Sequence, residues 1–322
     1  MKCHRCDEPG VVDLRHCRAA YCAACFVQRC REQVANTIRS HRMIRPGERV
    51  LVAISGGKDS LAVWDLLLDL GYEPDGVYLG LGIGGYSDRS GACAKEFAER
   101  RGARLLEVDM ARDVGFTIPE AAPSRRVPCS SCGLSKRHLL NKVAVDHGYD
   151  VLVTGHNLDD EAAVLFGNVL NWNLPYLARQ RPALPEAPGF ARRVKPLVRL
   201  TERETAAYCV IRGIDYIIEE CPMAAGNRHL MYKELLNSLE ERAPGSKATF
   251  LHKFSERLSP LLEDLAAEER ATVGTCSRCG SPTTGDVCAF CRLRDQAGRP
   301  PARRRSARRG RRPARRGRDA AE

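Results

Sequence analysis

The sequence predicts an α/β fold: a doubly wound parallel sheet flanked by N- and C-terminal zinc modules. Three observations carry this expectation. Val50-Leu51-Val52-Ala53-Ile54 is an apolar run without polar alternation, the pattern of a strand covered on both faces. Similar runs recur at 76–81, 105–108 and 151–154 with helix-patterned segments between them, the interval of successive βα units. Cys-x-x-Cys pairs cluster near the two ends of the chain, each pair able to turn two thiolates to one side.

At 322 residues and 43% hydrophobic content the chain can build a large core. It has no apolar run of about 18 residues. The N-terminus opens on cysteines and charges, so neither a membrane span nor a secretory signal is expected and the location is read as cytoplasmic. Fifteen cysteines in such a chain suit metal binding better than disulfides. The net charge of +11 is unevenly placed. From Arg292 to Glu322 thirteen arginines face three acids, which leaves the rest almost neutral. That tail lacks core-forming residues and is expected to be disordered, serving either RNA binding or solubility. The expected division is an N-terminal zinc module over 1–30, an α/β domain over 31–270, a zinc ribbon over 271–292 and the tail over 293–322.

In chain order, Cys3-x-x-Cys6 and Cys22-x-x-Cys25 form a four-cysteine zinc site, to which Cys17 and Cys30 are surplus. A helix is expected over 26–44, ending before Pro46. Its Arg29, Arg31, Arg39, His41, Arg42 and Arg45 read as a solvated face or an RNA-backbone contact. Strand 50–54 breaks at two glycines into a helix over 61–70. In the turn, Gly56 and Gly57 let backbone N–H groups approach an anion at a helix N-terminus. Lys58 adds a mobile cation, Ser55 and Ser60 add hydroxyls, and Asp59 adds a carboxylate for magnesium. The alternative is an ordinary βα turn. Gly80-Leu81-Gly82-Ile83-Gly84-Gly85 matches G-x-G-x-x-G, but it follows the second strand and reads as a flexible loop beside a nucleotide.

A helix over 91–101 with Cys93 as a core thiol and a strand over 105–108 follow. Residues 111–128 read as irregular and lead to Cys129-x-x-Cys132 and a helix over 134–146. Strand 151–154 ends in Gly155-His156-Asn157-Leu158-Asp159-Asp160-Glu161. Its acids form either a helix N-cap or a magnesium and phosphate partner for the first turn, since both stretches fall at strand carboxyl ends. Residues 171–200 read as loop, with a basic cluster Arg192, Arg193 and Lys195. Thr201 and Glu204 make a capping box for a helix to Arg212 that carries Cys209 in the core. A strand over 216–218 ends in Glu220-Cys221-Pro222, and helices follow over 229–242 and 247–268. Cys276-x-x-Cys279 and Cys288-x-x-Cys291 make the second zinc module.

Together, Ser55-Gly56-Gly57-Lys58-Asp59-Ser60, Cys129-x-x-Cys132, the Gly155–Asp160 stretch and Glu220-Cys221-Pro222 resemble the tRNA 2-thiolation enzymes of the PP-loop, or N-type ATP pyrophosphatase, superfamily. The flanking zinc modules are similar to those of the subgroup that takes sulfur from a ubiquitin-like carrier. Segments 41–60 and 155–168 look most like the members acting on 5-methyluridine 54. The resemblance covers residues 1–292 and leaves out the tail.

The resemblance implies ATP on Ala53, Ile54, Ser55, Gly56, Gly57, Lys58, Asp59 and Ser60, with Leu79, Lys136 and Gly155 around the nucleotide. It places magnesium near Asp59 and Asp160. It also implies a [4Fe-4S] cluster on Cys129, Cys132 and Cys221, with one iron left open to sulfide. Two zinc ions would sit on Cys3, Cys6, Cys22 and Cys25 and on Cys276, Cys279, Cys288 and Cys291. The implied reaction adenylates the uracil 2-oxygen and then transfers cluster-bound sulfide to C2, with Cys129, Cys132, Cys221, Asp59, Lys136 and Asp160 as catalytic residues. Implied partners are tRNA, a thiocarboxylated ubiquitin-like sulfur carrier and a second copy in a homodimer. Cys25 stands where some members have histidine, which zinc accepts equally. The alternatives are a third zinc site completed by Cys93 or Cys209, persulfide chemistry at the central cysteines, thiolation of uridine 34 or cytidine 32, and a non-enzymatic RNA-binding zinc protein.

Overall fold

The computed structural model describes residues 1–121, 128–224, 226–262, 264 and 273–297. The tail from 298 and the expected helix beyond 264 lie outside the described residues.

The chain opens on an antiparallel pair, β1 (Val12–Leu14) and β2 (Ala19–Tyr21), and enters α1 (Ala23–Ser40) directly from Cys22. Helix α1 buries Phe26, Cys30, Val34 and Ile38, one residue per turn on a single stripe. It stops short of residue 44 because Arg42 takes a left-handed φ of 48° and the Met43 N–H turns back to Ile38 O at 3.0 Å. Much of the basic face is engaged within the chain. Arg29 pairs with Glu204 at 2.5 Å, Arg31 donates to Asp69 O at 2.9 Å, and Arg45 pairs with Glu186 at 3.0 Å.

The next elements are β3 (Val50–Ile54), α2 (Lys58–Asp69), β4 (Asp75–Gly80), α3 (Gly84–Arg101) and β5 (Leu105–Asp109). A wide turn over Met110–Val114 leads to α4 (Ile118–Ala121), α5 (Pro128–Asp146), β6 (Val151–Thr154), α6 (Leu158–Leu170), α7 (Leu174–Ala178) and β7 (Arg192–Val194). Then come α8 (Glu202–Arg212), α9 (Arg228–Arg242), α10 (Ser246–Lys253), the short pair β8 (Gly274–Thr275) and β9 (Pro282–Thr283), and α11 (Ala289–Gln296). Strands β3 to β7 form one parallel sheet in the order β5-β4-β3-β6-β7. The chain winds outward from β3 to β5 and then returns to β3's other side as β6. The carboxyl ends of β3 and β6 are therefore the topological switch point, where open α/β sheets bind ligands.

Several expectations need correction. The fifth strand is β7, not residues 216–218. Ile218 is exposed, and the 216–218 segment crosses the sheet's end, with Ile217 N–H bonding Gly56 O at 3.0 Å. The region 171–200, expected as loop, contains both α7 and β7. Helix α3 starts at Gly84, so the glycine stretch ends inside a helix. Helix α5 starts at Pro128, which fits the first helical position because it has no N–H to leave unsatisfied, and so Cys129 and Cys132 are helical. The 247–268 helix breaks after α10 into short turns over Phe254–Leu258 and Pro260–Leu262. Cys93 is only half-buried, whereas Cys209 is fully buried.

Strand alternation divides the core between the two sheet faces. Val50, Val52, Ile54, Val151, Val153 and Val194 pack against α1, α2, α3 and α8. Leu51, Val77 and Leu152 pack with α5 and with the C-terminal module, whose Cys276, Cys288, Cys291 and Phe290 belong to the same cluster. His138 of α5 stacks on Phe290, with centroids 4.0 Å apart and planes at 14°, and Phe116 flanks the same ring at 5.8 Å. The C-terminal module thus braces the helix that carries Cys129, Cys132 and Lys136.

Burial, helped by Lys142 and Arg294, pushes the His138 imidazole down to about 4. The folded chain holds it neutral while the unfolded chain takes up a proton near pH 6.5. Its contribution to stability is therefore complete above pH 6.5 and is lost as pH falls towards 4. Urea denaturation followed against pH should show this decline, and His138→Phe should flatten it. An unchanged slope in the variant would show that the stack does not carry it.

Candidate active site

The Ser55–Ser60 turn is fixed by its own hydrogen bonds. Ser55 N–H donates to Ser60 Oγ at 3.1 Å, Ser60 Oγ donates to Gly57 O at 2.8 Å, and Gly57 N–H donates to Ser55 Oγ at 3.3 Å. Gly56 has φ +74°, and a Cβ there would lie 2.1 Å from Ser90 O, so no side chain fits. Gly57 caps α2, leaving the first N–H groups of that helix directed at the switch point.

The second strand end closes directly on this turn. A Cβ on Gly155 would stand 2.8 Å from the backbone of Asp59 and Ser60. Asn157 then caps α6 in a capping box with Asp160 and also donates Nδ2–H to Asp59 Oδ1 at 3.0 Å. Thr205 Oγ1 of α8 donates to the same oxygen at 2.5 Å. A chain of ion pairs joins the acids: Asp59 to Lys58 at 3.2 Å, Lys58 to Glu202 at 2.8 Å, Glu202 to Lys233 at 3.1 Å, and Lys233 to Asp160 at 2.6 Å. Burial opposes the charge on Lys233, but Asp160 and Glu202 outweigh it and hold its proton affinity above the ordinary lysine range. Asp159, the other acid of the stretch, is buried against Lys247 and accepts the Glu202 N–H at 2.7 Å, a structural role. Asp59 and Asp160 supply hard oxygen donors, and few of them. That suits magnesium, which takes one or two carboxylates and completes its shell with water and phosphate.

Beside the turn lies an open cleft lined by Ala53, Ile54, Ser55, Leu79 and Lys136, and also by Tyr78, Leu81, Tyr86, Ser87 and Ser90. Lys136 has no carboxylate partner among the described residues. The sequence expectation included Leu79 and Lys136 but missed Tyr78, Tyr86, Ser87 and Ser90. The glycines before α3 were the available signal, since they bring that helix over the turn. Glu202, Thr205 and Lys233 were also missed. They come from distant segments and no local pattern marks them.

The central cysteines meet at the same place. Cys129 and Cys132 occupy the first turn of α5, and Cys129 Sγ donates to Met223 O, in the loop after Cys221, at 3.4 Å. Burial raises the Cys129 and Cys132 thiols, and the Lys136 ammonium works in the opposite direction on both. Burial raises Tyr86 as well, with Cys221 and Cys132 adding to it, so this cleft residue lies next to the thiols. The three sulfurs are not all within 4.8 Å of one another, unlike those of the two four-cysteine groups. They therefore do not crowd together as the ligands of a single ion must. Cys209 donates to Lys58 O at 3.4 Å on the other side of the turn, and neither it nor Cys93 joins a ligand group among the described residues.

Cys3, Cys6, Cys22 and Cys25 come together, as do Cys276, Cys279, Cys288 and Cys291. Sulfur separations of 3.6 Å for Cys6–Cys22 and Cys6–Cys25 and 3.7 Å for Cys279–Cys288 match the roughly 3.8 Å edge of a tetrahedron with zinc–sulfur bonds of about 2.3 Å. The Cys288 N–H donates to Cys276 Sγ at 3.2 Å, the leading cause of a thiol lowered to about 6. Cys17 and Cys30 stay outside both groups.

Residues 273–292 match the family model described as the RecR four-cysteine zinc finger domain. The chain is 51% identical to the tRNA-5-methyluridine(54) 2-sulfurtransferase of Thermus thermophilus over 296 residues, covering 92% of this chain and 91% of that one. The chain belongs to the family of tRNA 2-thiolation sulfurtransferases. The family's enzyme of the same description from Pyrococcus horikoshii is 40% identical, covering 91% of this chain and 93% of that one. Among solved structures, the U34-tRNA thiolase NcsA of Methanococcus maripaludis with its [4Fe-4S] cluster superposes with a TM-score of 0.79 at 27% identity. That match covers 92% of this chain and 97% of the other. The family thus carries the parallel sheet described above, and among the described residues no helix is long and apolar enough to cross a membrane.

The closure of β6 onto the turn has a direct consequence. Gly155→Ala should destabilise the chain by about 2 kcal/mol, because the atoms in the way are backbone and cannot swing aside. Urea unfolding measures this, and a loss below about 0.5 kcal/mol would mean that the two strand ends are not locked together.

Proposed function

We propose that this chain thiolates tRNA in an ATP-dependent reaction, replacing the 2-oxygen of uracil at 5-methyluridine 54 with sulfur. One observation carries the reading: Lys136 lines the nucleotide cleft and stands one helical turn beyond Cys132, so a single base can reach both groups. The nucleotide lies along Ala53, Ile54, Ser55, Gly56, Gly57, Lys58, Asp59 and Ser60, with Leu79, Lys136 and Gly155 around it. The α2 N-terminus and Lys58 take the pyrophosphate charge, and Asp59 and Asp160 hold the accompanying magnesium. The uracil 2-oxygen attacks the α-phosphorus and pyrophosphate leaves. Lys136 balances charge that grows on the phosphorus and on the base, and positioning does most of the work.

Cys129, Cys132 and Cys221 hold a [4Fe-4S] cluster, which when bound presents the sulfur nucleophile at its one iron lacking a protein ligand. AMP departs with the original oxygen. No electron is needed overall. Cys3, Cys6, Cys22 and Cys25 hold one zinc, and Cys276, Cys279, Cys288 and Cys291 hold the other, the second fixing α5. The proposed partners are tRNA, a thiocarboxylated ubiquitin-like sulfur carrier and a second copy of the chain. Fifteen cysteines with no disulfide among them support a reducing, cytoplasmic location. Likeness to the U34 thiolase favours position 34 as the second reading, but the identity to the position-54 enzymes is much higher.

Anaerobically reconstituted protein, given ATP, magnesium, a sulfide source and tRNA, should yield 2-thio-5-methyluridine at position 54 by nucleoside mass spectrometry. Sulfur at position 34 would shift the reading to the wobble base, and no ATP-dependent thiolation would reject it. Lys136→Ala should slow the reaction about 100-fold or more. Cys221→Ser should lose iron and thiolation but keep both zinc ions, and retained iron would contradict the ligand set.

A further inference from the structure

Tyr86 parts company with the rest of its helix. The later turns of α3 bury Ala94, Phe97 and Ala98 in the apolar cluster on the α2 side of the sheet. Tyr86, in the first turn, packs instead against the cluster on the α5 side, as do Cys132 and Cys221. Its ring therefore crosses the carboxyl end of the sheet, where it lines the open cleft together with Ser55 and Lys136. Cys132 lies one turn before Lys136 on the same face of α5, so the Lys136 end of the cleft is the end towards the thiols.

The backbone that presents Tyr86 is held at several points. Ile118 N–H donates to Leu81 O at 3.0 Å, and Ile83 N–H donates to Ser87 Oγ at 2.9 Å. Tyr78 donates to Ser87 O at 2.6 Å, and Ser90, one turn on, stands against Gly56 of the Ser55–Ser60 turn. The cleft has two aromatic side chains, and they differ in what they leave free. Tyr78 is buried, with its hydroxyl engaged by Ser87 and Ser90. Tyr86 is half-buried, and its hydroxyl has no hydrogen-bond partner among the described residues. The ring is what Tyr86 offers to a ligand.

We propose that Tyr86 is the platform on which the target uracil stacks while it is adenylated and thiolated; this rests on the reading given under Proposed function. A base drawn out of the tRNA loses its stacking neighbours, and an aromatic ring replaces them. The contact also suits the chemistry. The 2-oxygen lies on the edge of the base and must reach the α-phosphorus, whereas sulfur must approach C2 from a face of the ring. A stack covers one face and leaves the edge and the other face open. Adenine is the other flat group in the cleft. Tyr86 shares its cluster with Cys132 and Cys221, however, and sulfur transfer needs those thiols beside the uracil, not beside the adenine.

Single-turnover thiolation at saturating ATP and tRNA, with full-length, anaerobically reconstituted protein, tests the stack in wild type, Tyr86→Phe and Tyr86→Ala. Loss of the ring should slow thiolation about tenfold or more, while Tyr86→Phe, which keeps it, should stay within about twofold of wild type. ATP affinity by calorimetry and iron per chain should be unchanged in both variants. An undiminished rate in Tyr86→Ala would overturn the stack. So would a Tyr86→Phe variant as slow as Tyr86→Ala, which would give the role to the hydroxyl. Weaker ATP binding would make the ring a partner of adenine, and lost iron would make it a support for the cluster; either result also overturns the stack. A wild-type protein that thiolates no tRNA would instead sink the functional reading, and the stack with it.

Discussion

The approach of Gly155 to the backbone of Asp59 and Ser60 is the constraint from which the site follows. With 2.8 Å between a virtual Cβ and peptide atoms, β6 can end there only if it ends in glycine. That contact sets the start of α6 against the start of α2, and Asn157 fixes both by capping one helix and binding the carboxylate of the other. Two helix N-termini therefore converge on one point. Such a point favours anions, and the lysine–acid chain around Lys58, Glu202 and Lys233 holds its carboxylates in place.

The zinc modules serve this arrangement from outside. The N-terminal one launches α1, which reaches α8 through Arg29 and Glu204, and α8 supplies Thr205 to Asp59. The C-terminal one presses Phe290 against His138 and so fixes the face of α5 that presents Lys136. Neither module touches the reacting atoms in the proposed mechanism. Each limits the motion of a helix that does, which is how distant elements secure sub-ångström positioning.

Much of this was legible in the sequence because the decisive residues act locally. Gly56 and Gly155 mark backbone approaches that only glycine tolerates, the Cys-x-x-Cys spacing sets the knuckle geometry, and the Thr201–Glu204 capping box appears as expected. The failures share a cause, since they turn on tertiary partners. Residues 216–218 look like a strand but find no sheet edge, whereas Arg192–Val194 looks polar yet pairs with β6, its first arginine neutralised by Glu48 and Glu186. The roles of Glu202 and Lys233 depend on α8 and α9 folding over the switch point, and no spacing rule reports that.

The central claim is that the cleft and the cysteines act in turn on one oxygen. It is tested most directly with tRNA carrying ¹⁸O at C2 of the target uracil, by mass analysis of the nucleotide released during thiolation. The account predicts AMP that holds the label, one ¹⁸O for each sulfur gained. Unlabelled AMP, with ¹⁸O left in the RNA or lost to water, would contradict it.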